Sequence, residues 1–241
     1  MFSQMKQRNK WYRLLLFSGL LIFWGCGPEK TEPAEPSLLL SSFYRQDTGF
    51  YQDFKVLRVT YQALDTGKGD TSLFYYRYQH IGTVPLEGRR AILIERWQRP
   101  DTTLPWAFDS LLLQWSSPLG LFRQSNNTTF HMLPAELKQD ITWNRNAFNS
   151  RPARICRWQD FDANRLLGSG LNQKGLEVLV YRIPQNFVSV AEVTEEYRSG
   201  IGLYRSFKKE ISFAQGNLFG LFVPETGEIY EEQFIGEGEI Q

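Results

Sequence analysis

His80 and His131 are the only histidines in the sequence, and Cys26 and Cys156 the only cysteines. A serine or cysteine nucleophile needs a base beside it, so any triad would rest on one of those two imidazoles. No Gly-x-Ser-x-Gly elbow supports one, because Gly168-Ser169-Gly170 belongs to a run of loop composition from Leu166 to Gly175. A structural zinc site wants about four Cys, His or acidic ligands at short spacing, and no such set occurs. Thr66-Gly67-Lys68-Gly69-Asp70 has the look of a phosphate-loop tail but lacks the full Gly-x4-Gly-Lys-Ser/Thr pattern, so it is expected to be a turn. Glu195/Glu196 and Glu231/Glu232 are adjacent pairs. On a strand their side chains point to opposite faces, which suits solvent better than a shared-proton site. The expectation is therefore no catalytic residue, no cofactor and no metal.

One sulfur does sit in a chemically informative setting. Lys6, Arg8, Lys10 and Arg13 precede an apolar run from Leu14 to Trp24, broken only by Ser18 and Gly19. Spanning a bilayer takes roughly 20 apolar residues, and this run is too short. A basic segment, a short apolar run of about 7–15 residues and a small residue make an export signal. Gly25-Cys26 follows directly. The segment resembles a bacterial lipoprotein signal, with Phe23 and Trp24 where that signal favours an aliphatic and a small or β-branched residue. The resemblance implies removal of residues 1–25 and lipid modification of Cys26, which then anchors the chain to a membrane by its acyl chains. A plain secretory signal and a short uncleaved anchor are the alternatives. Residues 26–42 follow as a linker. Gly27 to Ser37 holds three prolines and three glutamates and no aromatic residue, a composition that stays extended and solvated. Gly27 being non-acidic points, by analogy with better-known lipoproteins, to the outer membrane.

Four of the 27 basic residues lie before Cys26, so the mature chain carries 23 against 26 acidic ones, about −3. That sum implies no basic face for nucleic acid. With Cys26 lipidated, Cys156 has no intramolecular disulfide partner and is expected as a small buried apolar side chain.

Residues 43–241 must supply whatever positions a site, and they are long enough to bury one core. Tyr51 to Gln62, Leu73 to His80, Arg90 to Gln98, Phe108 to Ser116 and Leu121 to Met132 read as strands. So do Leu176 to Ile183, Val188 to Tyr197, Gly202 to Phe213 and Asn217 to Val223, with a frayed acidic strand at Ile229 to Ile235. Phe74, Tyr76, Tyr78 and His80 share one face at period two. Helix competes only at Pro134 to Gln139 and Val190 to Arg198. The expected fold is all-β: a single antiparallel β domain, a curved sheet, sandwich or half-barrel with at most one or two short helices.

Four stretches carry a wider likeness: GFYQDFKVLRVTYQ from Gly49, RRAILIERWQRPDTTLPWAFDS from Arg89, ITWNRNAFN from Ile141 and EVTEEYRSGIGLYRSFKKE from Glu192. In their order and spacing they resemble a group of uncharacterised Bacteroidetes-type outer-membrane lipoproteins. The resemblance implies envelope location and β architecture, and it transfers no chemistry. In SGIGLY, Gly200 and Gly202 permit φ > 0 or a bulge. In WNRNAFN, Asn144, Asn146 and Asn149 suit side chain-to-backbone hydrogen bonds, anchored by Trp143 and Phe148. A structural corner is one reading of that segment. Contact of Trp143, Asn144, Asn146 and Phe148 with a ligand or partner is the other.

Aromatic residues make up 15% of the chain, so Trp97, Trp106, Trp115, Trp143 and Trp158 either fill a large β core or line a concave face. Three functions follow. The first is a lipid-anchored, non-enzymatic envelope protein that binds a protein, lipid or glycan partner or supports assembly. The second is a carrier or chaperone of an apolar ligand, and the remotest is a glycan-active enzyme.

Overall fold

The computed structural model describes residues 40–161 and 175–240. Cys26 and most of the expected loop at 166–175 lie outside the described residues. The described chain is all-β. Its strands are β1 (Phe50–Tyr61), β2 (Gly69–Leu86), β3 (Arg89–Arg99), β4 (Ala107–Ser117), β5 (Gly120–Ser125) and β6 (Thr128–Pro134). The second half supplies β7 (Thr142–Asn144), β8 (Ile155–Asp160), β9 (Leu176–Ile183), β10 (Ser189–Arg198), β11 (Gly202–Phe213) and β12 (Pro224–Glu239). Short 3-10 turns at Leu40–Phe43, Ala63–Asp65 and Gly216–Leu218 complete the described elements.

All twelve strands belong to one antiparallel sheet, ordered β6-β5-β4-β3-β2-β1-β12-β11-β10-β9-β8-β7. Two meanders, β1 to β6 and β7 to β12, are joined where β1 pairs with β12. The edges β6 and β7 curl round to meet: the His131 N–H donates to the Arg145 carbonyl at 2.9 Å and the Trp143 indole N–H donates to the His131 carbonyl at 3.2 Å. The sheet is thus a nearly closed barrel with a short seam. Closure of this kind removes most of the open edge that an antiparallel sheet would expose.

Period-two patterning builds the inner wall. Phe54 opposes Tyr76, Val56 opposes Phe74 and Phe50 opposes His80, and directly opposed residues share a face. On the other side of β1, Phe54, Val56 and Arg58 oppose Phe234, Glu232 and Tyr230. One buried cluster gathers Phe54, Val56, Phe74, Tyr76, Ile92, Ile94 and Leu112. A second gathers Phe43, Leu121, Trp143, Cys156, Trp158, Val178 and Tyr197. A smaller one, Ala91, Trp115 and Phe122, lies apart from both.

Some expectations give way to the observed chain. The acidic strand near Ile229 to Ile235 is 16 residues long and lies in the middle of the sheet between β1 and β11. Its acids are met by cations from neighbouring strands, Glu228 by Lys208 at 2.8 Å and Glu231 by Arg205 at 2.7 Å. Leu121 to Met132 is a hairpin, because Asn126 and Asn127 both take positive φ, 47° and 58°, the signature of a tight two-residue turn. Asn217 to Val223 forms a 3-10 turn and bends instead of a strand. Val190 to Arg198 is strand, and Pro134 to Gln139 contains no helix.

The first described residues, 40–42, belong to the stretch expected as linker. Leu40 packs on the core, Phe43 is fully buried, and the Ser42 carbonyl accepts from the Gly200 N–H at 2.7 Å. Gly200 and Gly202 have φ of 78° and 93°, and a Cβ on Gly202 would lie only 3.5 Å from the Phe43 carbonyl oxygen. The SGIG turn bends the β10–β11 hairpin so that the incoming chain can cross it.

Candidate binding site at the barrel seam

The loop from β7 to β8 is built by its asparagines. The Asn144 side-chain oxygen accepts from the backbone N–H of Asn146 at 3.0 Å and of Arg154 at 2.9 Å, tying both ends of the loop to one atom. The Asn146 amide donates to the Pro152 carbonyl at 2.7 Å, and the Asn149 amide donates to the Thr129 carbonyl on β6 at 2.6 Å. The Asn149 oxygen in turn accepts from the Arg151 N–H at 2.9 Å. Side-chain amides here satisfy backbone groups that no strand partner reaches.

That scaffold presents Arg145, Arg151 and Arg154 to a cleft of about 400 Å³ beside the seam, with Phe130 of β6, Tyr181 of β9 and the buried Asn146 in its walls. Among the described residues no acidic side chain lines it. Arg151 lies 5.2 Å and Arg145 5.9 Å from the centroid of Phe130, and Arg154 lies 4.9 Å from that of Tyr181. These are cation–π distances, which hold each guanidinium against an apolar plate.

The three charges are matched unequally. Arg145 donates to both oxygens of Glu195 at 2.8 and 2.6 Å, and the Tyr197 hydroxyl donates to the same carboxylate at 2.7 Å. Burial alone pulls the Arg145 guanidinium down, but the Glu195 charge outweighs it and its pKa stands above the usual arginine value. Burial likewise pushes the Glu195 carboxyl up, and Arg145 more than offsets this, so the acid stays below its ordinary value. Arg154 has, among the described residues, only Glu210 as a carboxylate partner, at 3.9 Å. Among the described residues Arg151 has no carboxylate partner.

Of the four side chains singled out from the sequence, the structure brings only Asn146 to this cleft. Trp143 is core, with Trp158 at 5.0 Å, and Asn144 is the loop's tie point. Phe148 is half-exposed and meets Phe122 edge-on at 5.2 Å, in the row where Phe122 stacks on His131 at 4.7 Å. The arginines and the two aromatic plates were missed. Their available signal was the stretch between Asp140 and Asp160, which has four arginines and no acid, within residues 26–241 that hold 23 basic against 26 acidic residues.

Elsewhere among the described residues, the two histidines, Cys156 and the paired acids are each buried or held by partners. Burial, reinforced by the Arg123 charge, lowers the His80 pKa to about 3. Burial also lowers His131, whose Nε2 lies 3.0 Å from the Leu119 carbonyl. Burial pushes the Cys156 thiol up to about 11. The acid pairs do split across the sheet, but one member of each turns inward instead of to solvent. Glu195 binds Arg145, and Glu232 accepts from the Tyr78 and Tyr230 hydroxyls at 2.7 and 2.8 Å. Among the described residues no group of three or more His, Cys, Asp or Glu is placed to hold a metal, and no helix is long and apolar enough to cross a membrane. At another point of the surface Phe187, Phe219 and Phe222 cluster with centroids 5.2 and 5.8 Å apart, each at least 40% exposed.

No protein-family model, no curated protein and no solved structure matches this chain.

Proposed function

We propose that this chain is a lipid-anchored protein of the bacterial outer membrane, tethered at Cys26, which acts by binding a ligand and not by catalysis. The observation that carries the binding reading is the seam cleft: a preformed recess whose walls combine hydrogen-bonding side chains with aromatic planes. Recesses of about 300–1,000 Å³ with a few convergent polar groups are the usual form of small-molecule sites. The anchor reading rests on the sequence order of basic residues, short apolar run, Gly25, Cys26 and Pro/Glu tether. Neutral histidines and an un-ionised thiol argue against acid–base or nucleophilic work at neutral pH.

The carrier of an apolar ligand is supported less. The void among Phe54, Ile94, Leu121 and Met132 measures about 30 Å³, which is room for two or three waters at about 10–15 Å³ each. The inner wall below it carries charged pairs such as Lys208 with Glu228.

The anchor is tested by mass spectrometry of the full chain expressed in a bacterium that processes lipoproteins. An acylated Cys26 at the mature N-terminus, and release of the Cys26→Ser variant from the membrane fraction, are expected. An unmodified N-terminus at any other residue overturns it.

A further inference from the structure

We infer that the seam cleft is an anion site whose ligand is a small molecule bearing a phosphate or carboxylate group, received by Arg151 and Arg154. The inference rests on the binding reading above but not on the lipid anchor.

Charge placement is the first argument. Residues 26–241 hold 23 basic against 26 acidic residues, yet this recess gathers three guanidiniums and, among the described residues, no carboxylate in its lining. Two of the three, Arg145 and Arg151, lie within 6 Å of the centroid of one ring, Phe130. Cations that line a recess without a carboxylate among its described lining residues favour an anion that enters it. Arg145 is excepted because Glu195 already neutralises it. That leaves Arg151, unmatched among the described residues, and Arg154, whose only carboxylate is at 3.9 Å, to meet the ligand.

Geometry is the second. A guanidinium laid against an aromatic ring uses its face and keeps its in-plane N–H fork available. That fork matches two oxygens of a phosphate or carboxylate. The guanidinium carbons of Arg154 and Arg151 lie within cation–π distance of Tyr181 and Phe130, at 4.9 and 5.2 Å from the ring centroids.

Preorganisation is the third. The backbone N–H of Arg154 is tied to Asn144 and that of Arg151 to Asn149, while the Arg145 N–H donates to the Arg154 carbonyl at 2.8 Å. The arginines are carried on a loop whose backbone is ordered before any ligand arrives, which lowers the entropic cost of binding. The volume sets the ligand's size. About 400 Å³ exceeds what a bare anion fills, so the anionic group is attached to a polar body that lies along Asn146 and Pro152.

The test is calorimetric titration of the purified mature full chain, at low ionic strength, with inorganic phosphate, a hexose 6-phosphate, glucuronate and a neutral hexose. Saturable binding of phosphate, of the sugar phosphate or of the uronate supports the site, and the probe that saturates identifies its source: free phosphate, phosphate ester or carboxylate. The double variant Arg151→Gln/Arg154→Gln should weaken that binding by about tenfold or more, as expected for loss of charge-assisted hydrogen bonds. Arg205→Gln, which alters an arginine on β11 away from the cleft, should leave it unchanged. Unaltered affinity in the double variant, with an unaltered thermal melt, overturns the assignment. Saturation by the neutral hexose alone, abolished by Asn146→Ala, keeps a binding cleft and overturns only the anion. No saturation by any probe overturns the anion site and the binding reading of the cleft together.

Discussion

Arg145 and Glu195 meet in a two-pronged ion pair, at 2.8 and 2.6 Å, that joins the first residue after β7 to the middle of β10. Both side chains are buried, at 14% and 7% exposure. The pair does two jobs at once. It fixes the strand that closes the barrel seam, since the Arg145 carbonyl takes the His131 N–H, and it removes one of three cleft charges from competition for a ligand.

Breaking one half of this pair should cost far more than removing both. Glu195→Gln leaves a buried guanidinium uncompensated, for which about 3–5 kcal/mol is expected. Arg145→Met/Glu195→Met replaces both charges by apolar volume and should recover most of that loss. Denaturant unfolding of the two variants checks the ordering, and amide exchange at His131 should rise in Glu195→Gln as the seam loosens.

Acid sensitivity should trace to His80. Its folded pKa, about 3, lies below the unfolded value of 6.5, so the unfolded state binds the proton first as pH falls. The stability that His80 contributes as a neutral ring is complete above pH 6.5 and is lost progressively toward pH 3, at roughly 1.4 kcal/mol per pH unit, about 2 kcal/mol by pH 5. His80→Phe, which keeps the stack on Phe50 at 4.2 Å, should flatten the melting temperature between pH 6.5 and 5. An equally steep decline in the variant rejects this assignment.

Strands that alternate cleanly were open to sequence reasoning, as with Phe74, Tyr76, Tyr78 and His80, whose inward face is the observed one. β12 was harder because Glu228, Glu231 and Glu232 dilute its apolar signal. Their partners, Lys208, Arg205, Tyr78 and Tyr230, come mostly from other strands. Barrel closure depends on two edges finding each other, and no local pattern in Thr128–Pro134 or Thr142–Asn144 encodes that. The asparagines of the β7–β8 loop were visible as turn formers, whereas the arginines between them were not visible as a site. Whether a guanidinium is free for a ligand depends on acids such as Glu195, which lies 50 residues away.

Cys156 should be inert in the native protein. Its sulfur is fully buried beside the Arg154 and Val180 carbonyls, and burial holds the thiol at about 11, so little thiolate exists at pH 8. A maleimide or disulfide reagent should label the folded chain only at the rate of unfolding and label it at once in denaturant. Prompt native labelling contradicts this burial.

Asn144 offers the sharpest separation between holding the loop and holding a ligand, because one oxygen accepts both the Asn146 and the Arg154 N–H. Asn144→Ala removes that acceptor and strands two amides, at about 1–3 kcal/mol for each that stays dry. Asn144→Asp keeps an acceptor of the same shape and should retain most of the stability. If the loop's order is what makes the arginines a site, Asn144→Ala should also weaken anion binding in calorimetry though every cleft arginine is still present. Asn144→Asp should bind more nearly as the parent does. Equal affinity in Asn144→Ala and the parent, both measured below their melting temperatures, would mean that the arginines find the anion without help from the asparagine scaffold.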